Sequence, residues 1–478
     1  MKSLKLSVLT LAVLGALGLP ACNSSSTQDN AAPSSASIKK TSGVITGFGS
    51  VFVNGVEYET TNTSVSVEGA SSSEDQLAVG MVVTLDGSVN SDGTTGTASH
   101  IDFSDELQGI VLGNTIAIDG KLNVMGQTVI VDGATIFESK ITGILTPADI
   151  AQGNIVEVSG FSSGDGVIYA TRIEVKASTH NTGEEVELKG VVSSVTATTF
   201  MMGQLTVDYS GTQLEDLPNG AVSDGLYVEV KSVDGFDANN NLIASKVELK
   251  GDGKKGIEGQ EGEEMELEGV VTEVTSSTEF QINGQNVLIN DETEFSQGSA
   301  ADIVVGLKLE VKISVDADGK LVAKKIEFRK SAEIKMDVYV DSIDMDNNTL
   351  TVFGQTISVN NLTAMKDERE GGGFTPVRYF SLKDLAAMDR IEIQAYVDDS
   401  GKLIATKLRR NDDEGKAVEL GGKAEGPLAN GILVVAGVTV QVDPITFPNF
   451  VAASGDKVEV RGSYANGILV ASEISIDD

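Results

Sequence analysis

Chemistry has few places to start in this chain. Histidine occurs only at His100, in a predicted last strand of a repeat, and at His180, in a predicted linker. Neither a histidine-activated nucleophile nor a histidine-rich metal site can be assembled from them, and both read as surface residues. Glutamates recur at Glu157, Glu229, Glu310, Glu392 and Glu459, always the polar position of an alternating strand. Paired carboxylates would suit glycoside hydrolysis if two converged within about 5–9 Å. These stand one to a repeat, on the face that alternation assigns to solvent, so they read as structural. Oxygen ligands at alternate positions mark Asp316 with Asp318, Asp344 with Asp346, and Asp237 with Asn239 to Asn241. Calcium is the cofactor such loops would take, but the same residues are favoured in hairpin turns for backbone reasons, and none of the loops extends to the distant glutamate of an EF-hand. Gly47-Phe48-Gly49 and Gly371-Gly372-Gly373 lack the strand and long helix that flank a phosphate loop, and read as turns or hinges. The one aromatic cluster, Phe374, Arg378, Tyr379 and Phe380, closes an insertion over 366–380 and is the candidate ligand contact.

The amino terminus carries a different kind of chemistry. Met-Lys-Ser-Leu-Lys leads into an apolar run from Leu6 to Leu19, followed by Pro20, Ala21 and Cys22. A basic start, a short apolar core and small residues before a cleavage point describe an export signal, too short to span a bilayer. Leu19 to Cys22 resembles a bacterial lipobox, which implies cleavage before Cys22 and a lipid on its thiol. Cys22 is the only cysteine, which fits an attachment point better than a disulfide partner. Residues 22–41 then form a polar, flexible tether, and by analogy Asn23 favours the outer membrane, with the membrane itself as first partner.

Seventy acidic against 35 basic residues give a net charge of −35 and a pI near 4.3. Such a field repels polyanions, and the few basic pairs, such as Lys324-Lys325 and Arg409-Arg410, form no stripe, so nucleic acid is excluded as a partner.

The elements that must position any site come from repetition. A pattern of about 65 to 85 residues recurs six times. It opens at Gly43, Gly109, Gly190, Gly269, Val338 and Gly422, and turns first at Gly55, Gly126, Gly203, Gly284, Gly354 and Gly437. Period-two runs such as Leu307 to Val311 predict strands, and Asn54-Gly55 and Asn283-Gly284 predict tight hairpins. Ser73 with Gln76, Thr146 with Asp149, Ser299 with Asp302 and Ser381 with Asp384 predict a short capped helix between the third and fourth strands. The expected fold is all-β: a tandem array of six small five-stranded OB-like β-barrels. They are placed at 42–105, 106–177, 186–250, 265–330, 333–409 and 417–478, with an acidic linker at 251–264 where the array bends.

The opening Gly-Val-Val (190–192, 269–271), the Gly-Gln hairpins (126, 203, 284, 354), the Gly-x-x-Val-Glu-Val strand (153–158, 225–230) and Asp318-Gly-Lys-Leu-Val-Ala323 resemble a bacterial family of exported repeat domains catalogued only as a domain of unknown function. The resemblance implies a scaffold and an envelope location, and brings no catalytic residues. The expected role is a non-catalytic binding or spacing array with an envelope protein or surface polysaccharide as partner. The alternative is recognition of carbohydrate or peptide on the barrel faces.

Overall fold

The computed structural model describes residues 37–251, 257, 259–369, 377–413 and 415–477. The signal, Cys22, most of the tether, and Phe374 lie outside them. Among the described residues no helix is long and apolar enough to cross a membrane.

Six five-stranded barrels account for nearly everything else. In the fourth, the first strand (Glu264–Ser276) is followed by a second (Glu279–Ile282) and a third in two halves, Gln285–Leu288 and Glu294–Ser296. The fourth (Lys308–Val315) and fifth (Leu321–Phe328) complete it. The first strand pairs with the second and the fourth, the fourth with the fifth, and both halves of the third run parallel to the fifth. This closed order, 1-2-3-5-4-1, is that of an OB barrel, and closure leaves few free edges. A threonine locks the two halves of the third strand to the fifth. Thr63, Thr135, Thr212, Thr293 and Thr363 donate to the carbonyls of Ala98, Ala170, Ala244, Ala323 and Ala405 at 2.8–2.9 Å.

The hairpins form as the sequence predicts. Asn54 and Asn283 take positive φ before their glycines, and Met125, Phe353 and Ala436 are held there too, despite side chains that disfavour it. The predicted short helix is a single 3₁₀ turn of three residues, Pro147–Asp149, Ala300–Asp302 and Leu382–Asp384 among them. Thr146, Ser299 and Ser381 each complete a capping box with the aspartate three residues on, which satisfies one turn and gives no helix to propagate.

The opening position, a glycine in all barrels but the fifth, marks where the first strand changes partners. Beyond it the outer edge of that strand pairs with its own second strand; before it, the edge pairs with the first strand of another barrel. The second and third barrels join antiparallel at Leu107 and Gln108 with Leu188 and Glu187. The fifth and sixth join at Lys335–Asp337 with Glu419–Gly421. The first barrel joins the fourth, in parallel, through Lys39–Ser42 and Glu264–Leu267. The first strand therefore begins at Ser37, inside the stretch read as tether. The array is consequently interlocked out of sequence order instead of bending once between halves.

This pairing overturns the placement of the recurring glutamates. Glu229 and Glu310 are only 3% and 5% exposed, and the side chains of Glu157 and Glu392 reach 14%. Alternation does point them out of their own barrels, but neighbouring chain covers that outer face. Burial is tolerable because cations accompany them: Lys176 on Glu157, Lys250 on Glu229, Arg329 on Glu310 and Arg409 on Glu392.

Candidate functional site: barrel junctions and the cleft between the first and fifth barrels

Packing of the fifth barrel on the first begins with the lower half of its third strand, Ala364–Asp367. Asp367 takes Arg410 at 2.7 Å and Arg369 at 3.1 Å, and accepts the Val377 amide at 3.0 Å. Burial opposes its ionisation, yet these donors hold its carboxyl down to about 2. The insertion is thereby tied back at Val377. Its next residue crosses the junction: Arg378 donates to the carbonyls of Glu74 and Leu77 and lies 4.4 Å over the ring of Phe48. Thr46 donates to the Asn361 carbonyl at 2.7 Å, and the Asn361 amide returns a bond to the Gly55 carbonyl at 3.1 Å.

Between these clamps lies a cleft of about 220 Å³. Its floor is apolar, from buried Phe48, Val359, Met365 and Phe380, with half-buried Phe52 at the side. Its rim is polar, from Asn348, Asn360, Asn361 and Lys383. The Asn348 amide and the Lys383 ammonium are exposed and have no partner among the described residues. An apolar floor under a few uncommitted polar groups is the usual form of a small-ligand site.

Of the predicted contact residues, Phe380 (2% exposed) is part of this floor, covered on one face by Arg410 at 4.6 Å. Arg378 serves the junction and Tyr379 is exposed at 48%. Sequence reasoning missed Phe48, Phe52 and Asn348. The signal for Phe48 was present, an aromatic residue within Gly47-Phe48-Gly49, but it was assigned to turn geometry alone.

A second concentration of charge sits where the first three barrels meet. Lys189, 7% exposed, lies 2.8 Å from Glu68, 3.3 Å from Asp105, 3.8 Å from Glu187 and 3.4 Å from Glu229. Oxygens of Glu68, Asp105 and Glu187 fall within 4.8 Å of one another. Burial and the surrounding carboxylates push Asp105 well above its usual range despite Lys189; burial opposes the charge on Lys189, but its carboxylates raise its pKa well above normal. The ammonium already occupies the centre.

In each predicted calcium loop the leading aspartate accepts backbone amides. Asp316 accepts the amides of Asp318 and Lys320, Asp344 those of Asp346 and Asn347, and Asp237 those of Asn239 and Asn241. Each closes its own turn. His100 bonds Ser64 at 2.8 Å and His180 the Glu184 carbonyl at 2.9 Å, and both rings are half-buried.

The family described as domain of unknown function (DUF5666) matches the chain six times, at 42–102, 108–174, 189–248, 268–327, 339–409 and 424–475. The chain belongs to this family. Each DUF5666 match coincides with one barrel, so the family's unit is the OB-like barrel itself. No curated protein matches the chain. One solved structure, described as "drosophila Unr CSD456", is similar at 13% identity over 46% of this chain and 95% of that one. Its TM-score is 0.11, and the barrel topology rests on strand order instead.

Proposed function

We propose that this chain is a lipid-anchored, non-catalytic binding protein of the bacterial cell envelope, whose cleft between the first and fifth barrels holds an apolar side chain of a peptide. The observation that carries the reading is the cleft itself, with its apolar floor and its free amide and ammonium at the rim. Peptide is favoured over sugar because Phe48 and Phe380 each lie under a guanidinium, at 4.4 Å and 4.6 Å, leaving little open ring face for stacking. Side-chain amides such as Asn348 match the donors and acceptors of a peptide backbone. A spacing role is less favoured, since barrels paired out of order cannot be removed one at a time with graded effect. Anchoring rests on Leu19 to Cys22 and outer-membrane sorting on Asn23.

The test has two parts. Radiolabelled palmitate should enter the chain in a Gram-negative host and should not enter Cys22→Ala; equal labelling of both would remove the anchor. Short apolar peptides should raise the melting temperature of the chain, and Phe52→Ala with Asn348→Ala should abolish the shift. An unchanged shift in the double variant would remove the cleft from the proposal.

A further inference from the structure

The sixth barrel departs from the other five at one place. In those five, the lower half of the third strand (Ser64–Val67, Ile136–Ser139, Gln213–Glu215, Glu294–Ser296, Ala364–Asp367) covers the edge of the fifth strand. It sets Val65, Phe137, Leu214, Phe295 and Met365 beside Ile101, Ile173, Val247, Ile326 and Leu408, each of which is fully buried at 0% exposed. In the sixth barrel the third strand stops at Gln441, and the segment after it forms turns. The Phe447 amide, at the first position of the missing strand, instead bonds the Asp443 carbonyl at 2.9 Å, and Pro448 follows it in the turn. Thr446, in the place of the locking threonines, bonds Asp443 at 2.6 Å, not the Ala471 carbonyl.

The last strand (Ile468–Asp477) therefore pairs with Lys457–Ala465 along its length but has no ladder partner on its other edge beyond Val470 among the described residues. Ile474, opposite Val460 as Leu408 is opposite Ile393, is only partly buried, and Ile476 is 39% exposed. Charge changes at the same point. The residue before the buried apolar one is His100, Arg172, Lys246, Lys325 or Lys407 in five barrels, and in two of them it meets an acid of the covering strand, Arg172 with Glu138 and Lys246 with Glu215, both at 2.7 Å. In the sixth it is Glu473, its side chain 71% exposed.

We propose that the sixth barrel is completed by a partner protein, through an extended segment alternating apolar and basic residues that adds as a parallel strand along Glu473–Ile476. Its lysine or arginine lies opposite Glu473 and its apolar side chain fills the place beside Ile474. Main-chain hydrogen bonds supply affinity and the alternation supplies specificity, as in strand addition generally. The net charge of −35 draws a basic segment in.

The test uses the full chain in detergent and a labelled ten-residue peptide alternating lysine and valine. A peptide of the same composition with its lysines in one block, and one alternating glutamate and valine, serve as controls. The alternating basic peptide should bind on the order of tenfold more tightly than either control, and Glu473→Lys should invert the preference between the basic and acidic peptides. Pro448→Val, which releases the fixed φ at this position so that the chain's own segment can extend, should weaken binding by a similar factor. Hydrogen exchange keeps the idea falsifiable even if that variant fails to fold. The amides of Ile474 and Ile476 should exchange on the order of a hundredfold faster than those of Ile173 or Leu408 without peptide, and slow when it is added. Equal protection in the peptide-free monomer, or binding indifferent to Glu473→Lys, would overturn the proposal. Protection that instead rises with protein concentration would show a second copy on this edge and overturn it equally.

Discussion

The junction between the first and fourth barrels and the junction between the fifth and sixth use the same motif to different electrostatic effect. Both place a Glu-Leu pair of a first strand, Glu266-Leu267 or Glu419-Leu420, against another first strand, and both set that glutamate beside a glutamate of the fourth strand, Glu310 or Glu459. At the first–fourth junction Glu266 and Glu310 are 2% and 5% exposed. Burial, and the Glu266 carboxylate beside it, push Glu310 up to about 9 against the pull of Arg329. At the fifth–sixth junction burial also opposes ionisation, but the hydrogen bond from Glu459, with Lys335 and Arg461, holds Glu419 down to about 2. At the first junction Glu310 is raised beside a buried Glu266; at the second the half-buried Glu459 is raised, and its hydrogen bond lets Glu419 stay ionised. The motif alone does not set the charge of a junction; the depth at which it is buried does.

The largest expected difference lies in the cations. Arg329 contacts Glu310 and donates to Glu327 at 2.7 Å with its side chain 14% exposed, whereas Arg461 contacts Glu419 at 2.9 Å with 54% exposed. Arg329→Met should cost about 3–5 kcal/mol, because Glu268 and Glu327, both held ionised in part by Arg329, lose a cation in a buried setting. Arg461→Ala should cost less than about 1 kcal/mol. Hydrogen exchange resolved by barrel is the measurement, since six coupled barrels will not unfold in two states; equal losses would mean that the two junctions are alike.

The opening glycines sharpen the contrast. A Cβ on Gly269 would lie 2.3 Å from Asn283 Oδ1, which accepts the Val270 amide at 3.0 Å, while on Gly422 it would meet nothing closer than Val435 at 3.2 Å. Gly269→Ala should destabilise its barrel by about 2–4 kcal/mol, by displacing a buried amide, and Gly422→Ala by less than about 1 kcal/mol. Denaturant titration followed by exchange at each barrel checks both.

Opposite pH responses should follow. Glu310 is raised in the folded state, so the stability it contributes is complete below its ordinary value of 4.5 and disappears as pH rises through about 9. Glu419 is lowered, so its contribution is complete above 4.5 and is lost as pH falls towards 2. Exchange at Lys40 to Ser42 should accelerate first in alkali, and at Met336 to Val338 first in acid. Glu310→Gln should abolish the alkaline response; its persistence would assign that response elsewhere.

The smallest effect concerns the hydroxyls beside Glu266. Thr41 and Tyr58 share a hydrogen bond of 3.2 Å, and burial pushes the phenol up to about 12. Thr41→Val should cost about 1 kcal/mol and raise the phenol further, read by ultraviolet titration; a lowered value would remove Thr41 as its partner.

Much of each barrel was legible beforehand. Asn54-Gly55 and Asn283-Gly284 specified their turns, and Thr146, Ser299 and Ser381 their caps, because these preferences act over four residues or fewer. The cleft was half legible: Phe380 stood out in an aromatic cluster, but Phe48 and Asn348 are hundreds of positions apart and meet only because the first and fifth barrels pack. Glu229 and Glu310 were placed on a wet face, since alternation tells inside from outside and says nothing of what covers the outside.

By itself the sequence determined the number of barrels, most of their strands and the position at which each first strand turns away. Period-two alternation and a positive φ are properties of short peptides, so they can be read without a fold. Only the tertiary structure decided that the first barrel joins the fourth, that the fifth covers the first, and which carboxyls keep a proton. Those outcomes depend on strand edges that meet through backbone hydrogen bonds common to every sequence, and on burial, which no single segment controls.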